Sequence, residues 1–246
     1  MPAEKTDAIV IRLADFSESS KVVTLFTREF GKVAGLAKGA KRLKSPFEAA
    51  LDLLTESRIV FLRKATSGLD LLTEAQLISR FRPAGGDLAR LYSGYYIAEL
   101  LDGLTQEYDP HPRLYDAASG TLRSLSGDAD PRLTLLHFEL ELLQEIGHLP
   151  DFEACSLCHE PVEFGQGARF WVSQGGLICP QCGRPEYQHT EVQGGTIAVL
   201  QRLAADEHWQ RLSVSAQQFK ELRRIVTAAI CFVLERKPRM LKYLPF

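Results

Sequence analysis

Hydrophobic and polar residues alternate in short runs over the first 80 residues of the chain. Five runs rich in Val, Ile, Leu and Phe are predicted strands: Ala8–Leu13, Lys21–Thr27, Lys32–Ala37, Ser57–Leu62 and Leu69–Ile78. In the fifth run, Leu71, Ala75 and Leu77 share one face and Asp70 takes the other. Five short strands in so few residues suit a small closed or half-closed barrel, because closure protects the sheet edges.

After Arg82 the hydrophobic period changes from two residues to about 3.6, which predicts helices. Asp87 is a plausible N-cap for the first, and Asp130-Pro131 opens the third, whose apolar residues cover most of its circumference. Ser215 and Gln218 form a capping box before the last helix. The apolar residues at helical spacing run over 88–101, 114–125, 133–146, 196–205 and 219–233.

Four cysteines interrupt this helical half, and they form two CxxC pairs: Cys155, Cys158, Cys179 and Cys182. A two-residue gap lets both thiolates of a pair face one point about 2.3 Å away, which is the Zn–S bond length. Two pairs complete a tetrahedron, and four thiolates leave no coordination position for catalysis. The spacing therefore predicts one structural zinc per chain, with two disulfides or a redox-active pair as the alternatives.

The composition of the chain and the motifs that it lacks argue against several classes of protein. Hydrophobic residues make up 45% of the chain, charged residues 24%, and the formal net charge is −2, so a globular protein is expected. The sequence contains no apolar run long enough for a membrane span and no export signal. Phosphate-binding and nucleophile motifs are absent as well, so we expect no enzyme, no small-molecule substrate and no membrane partner.

Positive charge is concentrated between Lys21 and Lys44, where Glu29 is the one acidic residue. The basic residues are Lys21, Arg28, Lys32, Lys38, Lys41, Arg42 and Lys44. Cations on a strand and its exit loop suit a barrel face that follows a nucleic-acid backbone, and a solvated basic loop is the alternative. The candidate aromatic residues for base stacking in this segment are Phe26, Phe30 and Phe47.

The order of these parts resembles the bacterial DNA repair protein RecO family over essentially the whole chain. The most specific residues are the four cysteines and the stretch Glu29-Phe-Gly-Lys-Val-Ala-Gly-Leu-Ala-Lys-Gly-Ala-Lys-Arg. The resemblance implies an α+β multi-domain protein with an N-terminal OB-fold barrel over 1–80. A helical domain over 81–150 and 192–246 would carry an inserted zinc module over 151–191.

The resemblance also implies a recombination mediator that works without catalysis in the bacterial cytoplasm, on the nucleoid. Such a protein binds single- and double-stranded DNA, anneals complementary strands and, with RecR, helps RecA replace single-strand binding protein. The basic region that contacts DNA in the family matches Lys32, Lys38, Lys41, Arg42 and Lys44 here. The competing hypotheses are a zinc-ribbon protein-interaction adaptor without DNA function, and a zinc enzyme.

Overall fold

The computed structural model describes residues 2–42, 45, 47, 49–64, 68–162, 168–171, 176–184, 189–205 and 208–246. Eight strands lie in this part of the chain: β1 (Ala3–Asp15), β2 (Lys21–Thr27), β3 (Gly31–Ala37), β4 (Thr55–Leu62), β5 (Asp70–Arg80), β6 (Ala168–Trp171), β7 (Gly176–Ile178) and β8 (His189–Val192). The α-helices are α1 (Leu88–Leu104), α2 (Pro112–Ser126), α3 (Pro131–Glu145), α4 (Gly194–Ala205) and α5 (Ala216–Leu234).

The chain divides into two compact units. The first, called the barrel unit here, comprises Met1–Pro131 and Arg239–Phe246, and the second, the cysteine unit, comprises Arg132–Pro238. The predicted boundaries at 80, 150 and 191 stay a prediction, and this division places α1 and α2 in the same unit as the five N-terminal strands. None of the helices among the described residues has the length and apolar character needed to cross a membrane.

Strands β1 to β5 form a closed barrel in the order β1-β2-β3-β5-β4. Neighbouring strands are antiparallel except β3 and β5, which pair in parallel over Gly35–Ala37 and Asp70–Leu72. This order, with one parallel contact, is the five-stranded OB-fold barrel, so the predicted fold class is confirmed. The interior is apolar, and its members come from all five strands and from the segment after β3: Ala8, Val10, Val23, Leu25, Val33, Ala37, Phe47, Leu51, Ile59, Phe61 and Leu72.

The predicted alternation along β5 is wrong at its first half. Asp70 and Leu72 are buried, whereas Leu71 between them is only partly buried. The reason is a bulge: Val60 pairs with Glu74 and Phe61 pairs with Leu72, so Thr73 is an extra residue on β5. One extra residue moves every side chain before it to the opposite face of the sheet. Asp70 therefore points toward the interior with Leu72.

Two hydrogen bonds satisfy the buried carboxylate of Asp70. One oxygen accepts from the backbone N–H of Lys64 at 2.9 Å, and the other accepts from the hydroxyl of Tyr108. Tyr108 lies in the linker between α1 and α2, and its backbone N–H donates to the carbonyl oxygen of Lys32 at 3.1 Å. The linker therefore runs along β3, where it pairs through a parallel bridge between Lys32 and Glu107.

Helix α2 is joined to the barrel by polar side chains. The carboxylate of Glu56 on β4 accepts hydrogen bonds from Tyr115 at 3.0 Å and Ser119 at 2.9 Å. Burial and the nearby negative charge of Glu56 raise the pKa of Tyr115. Arg28 donates two hydrogen bonds to the carboxylate of Asp116, and this contact lowers the pKa of Asp116.

The predicted caps of the first and last helices and the burial of the third helix are confirmed. The side chain of Asp87 accepts from the N–H of Ala89 at the start of α1, and Ser215 and Gln218 form the capping box of α5. Nine residues of α3 are buried. One of them, Glu139, accepts a hydrogen bond of 2.5 Å from the guanidinium of Arg223 on α5. Both side chains are almost fully buried, so the two charges are desolvated together and the substitution of either residue would be destabilising.

The last eight residues return to the barrel unit. The carboxylate of Glu99 on α1 accepts from the backbone N–H groups of Arg239 and Met240, at 2.7 and 2.8 Å. The rings of Tyr92 and Tyr243 lie 5.5 Å apart. The barrel unit is therefore built from both termini of the chain.

Candidate metal centre and nucleic-acid interface

The first cysteine pair lies in a tight turn between two short extended segments. Backbone hydrogen bonds from Cys155 to Glu160 at 2.9 Å and from Val162 to Glu153 at 2.8 Å close this turn. His159 adopts a φ of +59° directly after Cys158, a value that turns the chain back on itself. The turn thereby presents the Cys155 and Cys158 sulfurs on one side.

The second pair follows β7 in the three-stranded sheet β7-β6-β8. The carbonyl oxygen of Cys179 accepts from the N–H groups of Cys182 and Gly183, both at 3.2 Å, so this pair also lies in a tight turn. The N–H of Ser156 donates to the carbonyl oxygen of Leu177 at 2.8 Å and joins the two turns.

These turns bring the four predicted ligands together, as the spacing indicated. The sulfur atoms of Cys155, Cys158, Cys179 and Cys182 all lie within 4.8 Å of one another, and Cys158 and Cys179 are 3.8 Å apart. A tetrahedron with Zn–S bonds of about 2.3 Å has sulfur atoms about 3.8 Å apart. The four-cysteine cluster therefore has the donor set and the dimensions of a metal site.

The electrostatics of the cluster also favour a cation. Burial opposes ionisation of Cys155, but backbone N–H donors from Cys158, Cys179 and Leu157 outweigh it and lower the pKa of the thiol to about 6. Contacts with Cys179 and Cys158, followed by burial, raise the pKa of Cys182 to about 12. Four thiols this close cannot all ionise unless a positive charge compensates them.

Three of the four DNA-binding candidates that the structure describes, Lys38, Lys41 and Arg42, lie near one end of the barrel, and Lys32 does not. Asp15 at the end of β1 pairs with Lys21, and Lys21 pairs with Ala37 at the end of β3. The β1–β2 loop (Phe16–Ser20) and the loop Lys38–Arg42 therefore leave the barrel at the same edge. We call these two loops together the basic end.

Lys38, Lys41 and Arg42 are exposed at the basic end. Lys41 also contacts the β1–β2 loop, because its ammonium group lies 2.7 Å from the carboxylate of Asp15. Lys44 lies outside the described residues.

Lys32 lies at the opposite end of β3. Its ammonium group donates to the carbonyl oxygen of Asp102 and lies 3.8 Å from the carboxylate of the same residue. The side chain is 13% exposed. The structure therefore places this predicted DNA contact against the last turn of α1.

The predicted aromatic candidates do not lie on the surface. Phe26 and Phe47 are buried, and Phe30 packs against the core and contacts the ring of Phe61 edge-on. The aromatic residue at the basic end is instead Phe16, which is 61% exposed. Its signal in the sequence is weak: a single Phe among polar residues in a turn between two predicted strands.

Comparison with known proteins matches both parts of the chain. A family model described as the N-terminal domain of recombination protein O matches residues 1–81, and one described as its C-terminal domain matches residues 85–242. The DNA repair protein RecO of Rhodopirellula baltica is 34% identical over 97% of this chain and 97% of its own length.

Two further relatives share the same name. The DNA repair protein RecO of Bacillus mycoides is 31% identical over 91% of this chain and 89% of its own length. The DNA repair protein RecO of Listeria monocytogenes is 34% identical over 73% of this chain and 68% of its own length. The barrel, the four-cysteine cluster and these matches over both halves lead to one conclusion: the chain belongs to the RecO family of DNA repair proteins.

Proposed function

We propose that this protein is a recombination mediator that binds single- and double-stranded DNA at the basic end of its barrel. It anneals complementary strands in the cytoplasm and, with RecR, helps RecA replace single-strand binding protein. The observation that carries this proposal is the exposure of Lys38, Lys41 and Arg42 at one edge of an OB-fold. The β1–β2 loop contacts oligonucleotides in other OB-folds, and the loop Lys38–Arg42 is hydrogen-bonded to it here. Lysine and arginine neutralise phosphates.

The proposal divides the predicted DNA contacts into two groups. Lys38 and Arg42 contact phosphates, and Lys41 also holds the β1–β2 loop through Asp15. Lys32 has a structural role rather than a DNA contact, because its side chain is mostly covered and its ammonium group donates to the carbonyl oxygen of Asp102. Lys44 stays a predicted contact on the strength of its sequence position alone.

The double substitution Lys38→Ala and Arg42→Ala tests the DNA interface. We expect weaker binding of a labelled single-stranded oligonucleotide and a log–log salt slope that is shallower by about 1.4, because each phosphate contact contributes about 0.7 for single strands. Annealing of complementary strands coated with single-strand binding protein should slow in parallel. RecA loading with RecR on the coated strand should also slow.

The matched control is Lys220→Ala with Lys237→Ala, which removes the same charge from exposed positions in the cysteine unit. This variant should retain the wild-type salt slope. If the folded double variant at Lys38 and Arg42 binds and anneals DNA like the wild type, the DNA interface does not lie at the basic end. A wild-type chain that binds no oligonucleotide at low salt would instead support the adaptor hypothesis.

The four-cysteine cluster is proposed to hold one structural zinc ion. Four thiolates suit zinc and fill its tetrahedral shell, which leaves no position for a substrate, so the ion would stabilise the fold of the two turns. This role is the reason that the proposed function includes no catalysis.

Elemental analysis of the purified, reduced protein tests the metal. We expect about one zinc per chain, and near zero in the Cys158→Ser variant, because three thiolates bind zinc much more weakly than four. Protease cleavage between residues 152 and 191 should become faster in that variant. Cys231→Ser is the control, since Cys231 lies on α5 outside the cluster, and it should retain the metal. Zinc-free wild-type protein would contradict the assignment.

A further inference from the structure

Phe16 is an exposed aromatic side chain without a role in the core of the barrel. It is 61% exposed, more than any other large hydrophobic residue in the part of the chain that the structure describes. A single exposed apolar side chain is common on protein surfaces, but an aromatic ring beside a group of exposed cations is the combination that binds single-stranded nucleic acids. The charged groups of the basic end supply that setting.

The β1–β2 loop that carries Phe16 is ordered by its own hydrogen bonds. The N–H groups of Phe16 and Ser17 donate to the carbonyl oxygen of Ser20, at 3.1 and 3.3 Å. The N–H of Ser20 donates to the hydroxyl of Ser17 at 3.2 Å. A loop with this many internal contacts loses little conformational entropy when a ligand binds.

The β1–β2 loop is joined by hydrogen bonds to the loop Lys38–Arg42. The N–H of Lys41 donates to the carbonyl oxygen of Ser19 at 3.1 Å, and the ammonium group of Lys41 donates to the carbonyl oxygen of Ser17 at 3.2 Å. The N–H of Gly39 donates to the hydroxyl of Ser20 at 3.4 Å. The loop that carries Phe16 is therefore held against the loop that carries Lys38 and Arg42.

The charges of the two loops separate a base-binding position from a phosphate-binding position. Asp15, which precedes Phe16, is paired with Lys41, whereas the nearby Glu18 carries a negative charge that repels phosphates. Lys38 and Arg42 lie on the other loop. A nucleic-acid strand at this edge would therefore turn its phosphates toward the lysine and arginine and its bases toward the phenyl ring.

On these observations we propose that Phe16 stacks on a base of single-stranded DNA and makes the protein prefer single strands to duplex. The inference rests on the proposed function, since it assumes that DNA lies at the basic end. In a duplex both faces of each base are already covered by neighbouring bases, so the ring gains a partner only on an unpaired strand.

The test measures binding of a labelled oligothymidylate and of a duplex of the same length by fluorescence anisotropy. Base–aromatic stacking has a modest free energy per base, so Phe16→Ala should weaken single-strand binding about five- to tenfold. Duplex binding should change by less than about twofold, and the salt slope should match that of the wild type, because no cation is lost.

Three variants control the result. Phe232→Ala removes a phenyl ring that is 47% exposed on α5, in the cysteine unit, and should leave binding unchanged. Phe16→Trp retains a stacking surface and should restore single-strand affinity, with indole fluorescence quenched by the oligonucleotide. Phe16→Leu retains apolar volume without an aromatic face and should resemble Phe16→Ala.

The outcomes separate this inference from the proposed function. Wild-type affinity in Phe16→Ala, together with weak binding in the Lys38 and Arg42 variant, would overturn the stacking role and leave the proposed function intact. Equal losses of single-strand and duplex affinity in Phe16→Ala would show that Phe16 only stabilises its loop, and would overturn stacking. Full affinity in Phe16→Leu would also overturn stacking. Absence of any DNA binding by the wild type would remove both proposals.

Discussion

The two ends of strand β3 carry the same kind of residue in different surroundings. Lys32, near the start of β3, is mostly covered by Asp102 and by the α1–α2 linker. We call this end of the barrel the linker end. Lys38, directly after the last residue of β3, is exposed at the basic end. Along the sequence both lysines belong to one basic segment, and both were predicted to contact DNA.

This difference shows that the count of charges in a segment does not give the charge available to a ligand. At the linker end the lysine compensates a carboxylate and the last carbonyl groups of a helix, where positive charge is favourable. At the basic end Lys38 and Arg42 are exposed, and the ion pair of Lys41 with Asp15 lies at the surface, where such pairs contribute little energy. We therefore propose a structural role for the first end and a binding role for the second, and the following predictions test that division.

The largest expected effect concerns Gly31, at the linker end. Its φ is +67°, and a Cβ there would lie far inside van der Waals contact with the carbonyl oxygen of Asp109. Because backbone cannot move aside as a flexible side chain can, Gly31→Ala should lower the free energy of unfolding by more than about 3 kcal/mol. Urea unfolding monitored by circular dichroism measures this loss.

Gly39 at the basic end is the matched control for that substitution. Its φ is +75°, but a Cβ there would lie 3.5 Å from the flexible side chain of Arg42, which is an ordinary contact. Gly39→Ala should therefore cost only the backbone strain, about 1 kcal/mol. Equal losses in the two variants would contradict the close packing of the linker against the barrel.

A smaller effect is expected from the two lysines. Lys32→Met should lower the free energy of unfolding by about 1 to 2 kcal/mol and leave the salt slope of DNA binding unchanged, because it removes contacts with Asp102. Lys38→Met should change stability by less than about 0.5 kcal/mol and make the single-strand salt slope shallower by about 0.7. A shallower salt slope of DNA binding in the Lys32→Met variant would instead show that Lys32 contacts DNA.

Much of the fold could be predicted because local chemistry marks its boundaries. Residues Lys21–Thr27 form a strand with the predicted limits, and the capping residues Asp87 and Ser215 start their helices as expected. The four cysteines converge because a CxxC turn fixes the positions of two sulfur atoms whatever the rest of the chain does. These signals depend on neighbours that are close in sequence.

The features that could not be predicted depend on partners distant in sequence. The burial of Asp70 requires a bulge at Thr73, and its hydrogen-bond donor, Tyr108, is 38 residues away. Burial of Phe26 and Phe47 follows from closure of the barrel, which alternation in one strand does not reveal. The neighbourhood of Phe16 depends in the same way on the register of β1, β2 and β3.

The return of residues Arg239–Phe246 to the barrel unit has a practical consequence for truncated proteins. Because Glu99 caps the N–H groups of Arg239 and Met240, deletion of this short tail would disturb α1, which is encoded about 140 positions earlier. A shortened chain that loses oligonucleotide affinity would therefore not locate the interface near its C terminus. Conversely, a single proteolytic nick within Arg132–Pro238 would leave both fragments anchored in the same unit.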